Sequence, residues 1–452
     1  MNQRSIPQDI PIPKLVLRYA IPGITSGLVN ALYNIVDQIF IGQAEGVLGN
    51  AATNVAFPLV CLCLSMSLLF GIGGASNYSL CLGRGDEKTA QKFMGVTLSS
   101  LVIAGFLFAF LAYVFLDSLL WICGATEENY QLAYDYTSIT IFAIPFFMFA
   151  ASVPQLVRAE GNPKKAMHYS LIGCGINLVL DPILIFGFDM GIKGAAIATA
   201  ISQMISCFLF LWYFYKYSPV KKSELRPDLS IMAKVASLGL APATNQFTLM
   251  ITQIAMNNSL KHYGSASEYG SDIPLAIVGV VSKVNVLYTA IAVGLALGAQ
   301  PIIGYHYGAK NYDLVKKCYV TNVVYVTIVS VFVFLSFQLL PRQILSFFGE
   351  GSELYFQFGI RYFRIFMALA FLNGINPITA NFLTAIGKAK RGMILPFSKQ
   401  MLFMLPLLLI LPSFWGIEGI LLVGPATDIL AFLTAMYLIT SEFKEIKRLV
   451  EV

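Results

Sequence analysis

A duplication runs through this chain at a nearly constant offset. Gly124, Glu128 and Tyr130 recur 225 residues later as Gly349, Glu353 and Tyr355, and Gly191-Ile192 with Gly194 recurs as Gly416-Ile417 with Gly419. Upstream, Ile21-Pro22 corresponds to Ala241-Pro242 at an offset of 220, which puts about five extra residues in the loop after the seventh apolar segment. A period this long excludes solenoid repeats, whose units run to about 20–50 residues. Both copies are apolar enough to live in lipid. Twofold duplication in such a chain is the sequence sign of a transporter whose substrate crosses between related halves.

Of the 452 residues, 57% are hydrophobic and 12% charged, against roughly 25% charged in soluble domains. Twelve apolar stretches fall at roughly 15–41, 50–80, 93–120, 132–157, 164–187, 192–217, 230–262, 273–305, 315–340, 355–385, 392–412 and 416–441. Lipid cannot hydrogen-bond an exposed backbone, and these stretches are too long and too uniformly apolar for barrel strands. The expected fold is all-α and integral to the membrane: twelve transmembrane helices in two six-helix lobes related by a pseudo-twofold axis along the membrane normal. Residues 1–217 form the N-terminal lobe, 218–229 a charged cytoplasmic linker, and 230–452 the C-terminal lobe.

The net charge of +6 does not point to nucleic acid, because the basic residues sit on alternate loops. Arg84/Lys88/Lys92, Arg158/Lys164/Lys165, Lys216/Lys221/Lys222/Arg226, Lys310/Lys316/Lys317, Lys388/Lys390/Arg391 and Lys444/Lys447/Arg448 share one side with Arg4, Lys14 and Arg18. The opposite loops carry Glu45, Glu127, Glu128, Asp189, Asp272, Glu350 and Glu353 against few bases. By the positive-inside rule both termini are cytoplasmic and the span count is even. The first fourteen residues are polar and no small-residue cleavage site follows, so the first span is expected to be retained. The seven cysteines are odd in number, lie mostly within spans and lack metal spacing, which predicts free thiols without a transport role.

Few acids lie well inside the spans: Asp37 in the first, Asp181 in the fifth and Asp428 in the twelfth. An aspartate near a helix centre costs about 2.5–3.5 kcal/mol on insertion scales, so such a residue usually faces an internal cavity. Counting about 1.5 Å per residue from Lys164 puts Asp181 roughly 26 Å along its helix, in the outer half, with Asn177 one turn below on the same face. Asp37 lies about a turn from the outer end of its helix, and Thr199 about two turns below the outer start of the sixth, so all four side chains can share one depth. Two carboxylates, an amide and a hydroxyl are hard ligands suited to Na⁺ or shared protons. Two desolvated acids cannot both stay ionised cheaply, so proton and Na⁺ compete for one place. The other reading is that Asp37 and Asp181 cap kinked backbone beside Pro182. In the duplication Asp37 corresponds to Asn257 and Asp181 to Pro406, which confines ion coupling to the first lobe. Asp428, beside Thr427, either lines the cavity or pairs with a polar neighbour.

Prolines inside spans remove a backbone donor and favour kinks. Pro22 and its counterpart Pro242 are the favoured hinges, though most membrane prolines are only tolerated. Lys283, Arg361 and Arg364 either snorkel to the interface or shape the cavity potential. Tyr33, Met148 and Met256 are candidates for an adaptable substrate pocket, against the plain alternative of packing.

With these residues in view, the chain resembles the multidrug and toxic-compound extrusion (MATE) family over essentially its whole length. The stretches "YNIVDQIFIGQ", "RAEGNPKKA", "NLVLDPILIFGFDMGIKGAAIATAISQ" and "GAQPIIGYHYGAKNYD" carry the resemblance, which is strongest to the MepA-type bacterial branch. It implies a MATE-like fold and a cytoplasmic-membrane antiporter that exports cationic or amphiphilic drugs in exchange for Na⁺ or H⁺. Membrane lipid surrounds such a protein, no cofactor beyond the coupling ion is implied, and a monomer is expected. The family's first-lobe cation site implies that role for Asp37, Asn177, Asp181 and Thr199, and its kinkable proline corresponds to Pro22. Some members add acids on the seventh and tenth spans, where this chain has Gln246, Asn257 and Asn373.

An intramembrane enzyme is disfavoured. Gly83-Arg84-Gly85-Asp86 matches a GxGD pattern but lies in a basic loop ahead of Tyr134-Asp135, and the three histidines form no HExxH. A channel would need a filter-like repeat or acidic ring. The closer rival is a flippase for lipid-linked saccharides or other amphiphilic lipids, and twelve spans with a paired-acid first lobe favour small-molecule efflux over it.

Overall fold

The computed structural model describes residues 10–451 apart from 124, 126, 128, 271 and 349–351. The repeat anchors Gly124, Glu128 and Gly349, with Arg4 and Glu350, therefore lie outside the described residues. Nine described helices are long and apolar enough to cross a membrane, and the bent pair Glu353–Phe366 and Ala370–Ala385 makes a tenth. One of the nine, Ala389–Arg448, reverses its backbone at Gly416, where φ is +57°, and so contains two spans. Leu229–Ser265 is long enough but less apolar, because Asn245, Gln246, Gln253, Asn257 and Asn258 lie along it. The twelve spans are α1 Ile12–Gly46, α2 Ala52–Gly83, α3 Glu87–Val114, α4 Tyr130–Ala159, α5 Pro163–Gly187, α6 Gly191–Tyr217, α7 Leu229–Ser265, α8 Asp272–Gly308, α9 Tyr312–Leu339, α10 Glu353–Ala385 with its bend, α11 389–415 and α12 417–451.

Local chemistry sets many of the ends. Asp86 caps α3 by accepting from Thr89 N at 3.0 Å, and Asp228 caps α7 by accepting from Ser230 N and Ile231 N at 3.0 and 3.2 Å. Pro163 opens α5, where a missing N–H costs nothing. The duplication reappears as geometry. Glu87–Val114 and Tyr312–Leu339 lie 225 residues apart at both ends, as do the starts of the short helices Leu116–Ile122 and Pro341–Phe348. Left-handed turn residues recur in pairs as well: Gly85 with Lys310, Gly161 with Gly387, and Gly191 with Gly416.

The tenth span departs from the single helix expected over 355–385. It breaks between Phe366 and Ile375, with a 3₁₀ turn at Ala370–Leu372 and a bend of 47°. Pro377 has no N–H to donate to the Asn373 carbonyl, so the helix restarts there with proline in its first turn.

Two of the apolar cores lie within one half each, while Ile231 and Val235 of α7 pack into a first-half core and Leu80 of α2 meets Leu238 and Ala389. Ile41, Met148, Ile185 and Ala195 belong to a core made by the first half, and Met256, Phe337, Tyr362 and Leu421 to one made by the second. The start of α1 crosses over: Leu15, Val16 and Tyr19 are buried against Leu295, Ala299 and Phe382 of the second half. Phe106, Phe110, Phe142, Phe332 and Tyr437 are exposed on the outside of the bundle, where lipid rather than water meets them.

Close approaches between the halves concentrate at the end that carries the basic loops. A Cβ on Gly294 would lie 2.7 Å from Ile24 N, and one on Gly298 2.5 Å from Ala20 Cα, so α1 and α8 touch backbone to backbone. On the other side of the seam, a Cβ on Gly239 of α7 would lie 1.8 Å from Leu69 O of α2, and one on Gly73 2.0 Å from Val235 O. Small residues permit this contact, which in lipid supplies packing without a hydrophobic drive. Ser65 Oγ donates to Ala243 O at 2.7 Å, Gln300 Nε2 to Ser76 Oγ at 2.7 Å, and Lys92 pairs with Asp228 at 2.9 Å.

Candidate cation site

Asp37 of α1 is 8% exposed, and Asn177 and Asp181 of α5 are 1% exposed each. Asn177 and Asp181 stand one turn apart on the same face, and Asn177 Nδ2 donates to Asp181 Oδ1 at 3.1 Å and to Thr199 Oγ1 of α6 at 3.4 Å. The carboxyls of Asp37 and Asp181 are close enough to interact directly. Three helices thus bring the four polar side chains singled out in the sequence to one point. Pro182 follows Asp181, and α5 widens into a π turn at Ile183–Gly187, so the second acid sits where regular helix ends.

Three buried oxygens at this point have no hydrogen-bond partner among the described residues: Asp37 Oδ1, Asn177 Oδ1 and Asp181 Oδ2. A buried acceptor without a donor costs about 1–3 kcal/mol. Three of them converging, with the Thr199 hydroxyl beside them, form an all-oxygen set that fits a small hard cation or a shared proton. No cluster of three His, Cys, Asp or Glu side chains suited to another metal occurs among the described residues.

Tyr33 lies one turn before Asp37 on α1, and Tyr136 of α4 lies in the neighbourhood of both acids. Tyr33 therefore stands at the acid pair. Tyr136 was not legible in advance, since one of 22 tyrosines in an apolar helix carries no signal of its own. Met148 and Met256 sit elsewhere, inside the cores of the first and second halves. Pro22 is buried next to the Gly23–Gly294 approach, and α1 continues through it without a break. Asp428 of α12 lies in the second half and is engaged there by Lys399 and Asn373. Lys399 escapes a sequence reading because a lysine near the start of a span resembles one that snorkels to the interface.

Of the other charges, Arg361 pairs with Glu418 at 2.8 Å while Lys283 and Arg364 are exposed. Arg158 is buried at the seam, donating to Gln155 Oε1, with its guanidinium beside Gly23. The cavity of about 440 Å³ lined by Asn77, Arg84, Asp86, Lys234 and Ser237 opens at the basic end and contains none of the acid-site residues.

Twelve apolar helices in two related halves, with a desolvated oxygen cluster inside the first, define a multi-pass membrane protein of the transporter class. Residues 22–183 and 234–410 match the sequence model of the MatE family, and the chain belongs to that family. The multidrug export protein MepA of Staphylococcus aureus strain N315 is 25% identical over 435 residues, covering 95% of this chain and 94% of MepA. MepA of Staphylococcus haemolyticus strain JCSC1435 is 26% identical over 441 residues, covering 96% and 94%. Among solved structures, the outward-facing conformation of a multidrug resistance MATE family transporter of the MOP superfamily superposes with a TM-score of 0.90 at 20% identity, over 99% of this chain and 98% of that one. At that identity the likeness is one of fold.

Proposed function

We propose that the protein is a multidrug efflux antiporter of the cell membrane, exporting cationic or amphiphilic small molecules in exchange for Na⁺ or H⁺. Family membership and the likeness to MepA support the export of drugs. The observation that carries the coupling is the set of three unpartnered buried oxygens on Asp37, Asn177 and Asp181. In this reading both termini are cytoplasmic, the protein acts as a monomer, and residues 1–217 and 230–452 are lobes that rock about the seam.

The drug enters between the lobes when the basic, cytoplasmic end is open, and leaves when that end is sealed as in the present arrangement. A cation or proton reaching the site offsets one of the two acid charges and supplies a partner at the point where the three oxygens converge. Because Asp37 rides on α1 and the other ligands on α5 and α6, its capture pulls α1 against its neighbours. Pro22, with no N–H to offer its own helix, is the place where α1 yields. Differential affinity of the site for the two arrangements couples ion to drug.

The test follows a fluorescent organic cation in proteoliposomes under an imposed Na⁺ gradient and then an H⁺ gradient, with Asp37→Asn and Asp181→Asn alongside. Uphill movement on one gradient, lost in both variants, is expected. Uphill pumping by Asp181→Asn removes the site from the mechanism. No movement on either gradient by folded wild type transfers the proposal to a lipid or saccharide flippase.

A further inference from the structure

The second half holds its own intramembrane carboxylate, and the chain answers its charge differently. Asp428 Oδ1 accepts from Lys399 Nζ at 3.1 Å, Asp428 Oδ2 accepts from Asn373 Nδ2 at 3.0 Å, and Lys399 Nζ also donates to Asn373 Oδ1. The three side chains close a ring in which both carboxylate oxygens are used. Their side chains are largely buried, Lys399 at 20% and Asp428 at 7% exposure. Each comes from a different span, and two stand at distortions that aim them inward. Asn373 directly follows the 3₁₀ turn in the break of α10, and Lys399 lies in the π turn Ser398–Met404 of α11.

The duplication shows what this ring replaces. At the offset of 225, Lys399 corresponds to Cys174, one turn from Asn177 on α5, and Asp428 to Gln203, one turn from Thr199 on α6. Two members of the ring therefore stand on α11 and α12, the counterparts of the α5 and α6 that carry three of the four first-half ligands. There, three oxygens are left unpartnered; here an ammonium and an amide saturate the acid. A buried ion pair adds little stability over an apolar pair of similar volume, so packing alone does not account for keeping one in lipid. Among the described residues, Tyr288 of α8, bonded to Ser330 of α9 at 2.7 Å, is a further titratable group in the neighbourhood of Asp428. Next to the ring in sequence, Thr427 Oγ1 and both amide atoms of Asn376 are buried without partners among the described residues.

We propose that Lys399 is a resident cation: its tethered ammonium holds in the second half the place that an exchangeable cation takes in the first. The transporter then has one coupling site, and removing the Lys399 charge uncovers a latent site for Na⁺ or H⁺ on Asp428 and Asn373. The contrast with the first half rests on the coupling reading above; the latent site does not.

The experiment measures the melting temperature of purified protein against Na⁺ concentration, with choline as replacement, and against pH. It is done in an Asp181→Asn background, so that the first-half site is silent. Asp181→Asn alone is expected to show no cation-dependent shift. Adding Lys399→Met is expected to create a saturable rise in melting temperature with Na⁺ or with acid, abolished by a further Asp428→Asn, whereas Lys399→Arg creates none. A folded Lys399→Met/Asp181→Asn protein without any cation-dependent shift overturns the proposal. If the Lys399→Met proteins do not fold, equilibrium binding of radioactive Na⁺ and proton uptake are measured on Asp181→Asn itself. Residual saturable binding that Asp428→Asn removes overturns the proposal, and its absence supports a second half closed by Lys399. Loss of the first-half reading registers separately, as a wild-type cation response that Asp37→Asn and Asp181→Asn leave untouched.

Discussion

Replacing Gly239 with alanine tests whether the glycine seam sets the balance between the two arrangements that the proposed transport cycle requires. The added methyl carbon would lie 1.8 Å from Leu69 O and 2.6 Å from Leu69 Cα, where about 3.5 Å is needed. Both obstacles are backbone atoms, so no side-chain rotation relieves them and α2 and α7 must part by more than 1 Å, as a rough figure. Overpacking of this kind costs about 1–3 kcal/mol, charged only to the arrangement in which the seam is closed. The gain in helix propensity of alanine over glycine applies to both arrangements and cancels. The ratio of open to closed at the basic end should therefore rise between about 5- and 150-fold. Spin labels at Arg84 and Ser237, which face one cavity at that end, would read this as a longer distance population, with a matching fall in export rate. A label distribution and a transport rate identical to wild type would refute the idea that the backbone contact holds the seam.

Other expectations follow from single contacts. Gly191→Ala should destabilise more than Gly416→Ala in thermal unfolding: both sit at positive φ, about 1–2 kcal/mol of strain for alanine, but only at Gly191 would the new carbon displace Glu45 Oε1, at 2.0 Å, and break the bond that oxygen accepts from Ile192 N. Glu442 is fully buried and joins Lys388 at 2.7 Å and Arg391 at 2.9 Å, tying the start of α11 to the tail of α12. Glu442→Ala should cost about 2 kcal/mol by the same measurement, less than breaking a wholly buried pair, because Arg391 is 42% exposed.

Much of this architecture is legible in the residues because lipid makes the rules severe. A polar atom in a span is expensive, so Asp37, Asn177, Asp181 and Thr199 stand out, and helix geometry alone places them at one depth. The period of 225 reappears in the ends of α3 and α9 because capping and turn residues act locally. The apolar positions were not legible in the same way. Met148 and Met256 have the composition of pocket residues and of core residues alike, and they lie in cores.

What the sequence determined by itself is therefore what each residue decides with its near neighbours: the spans, their duplication, and which few side chains cannot face lipid. The tertiary structure decided the partners. Lys399 reaches Asp428 rather than the interface, Asn177 bridges Asp181 and Thr199, and the start of α1 packs into the opposite half. The physical reason is that hydrocarbon and protein core reward the same apolar side chains, so hydropathy carries no record of which face meets which. That choice is made only when whole helices come together.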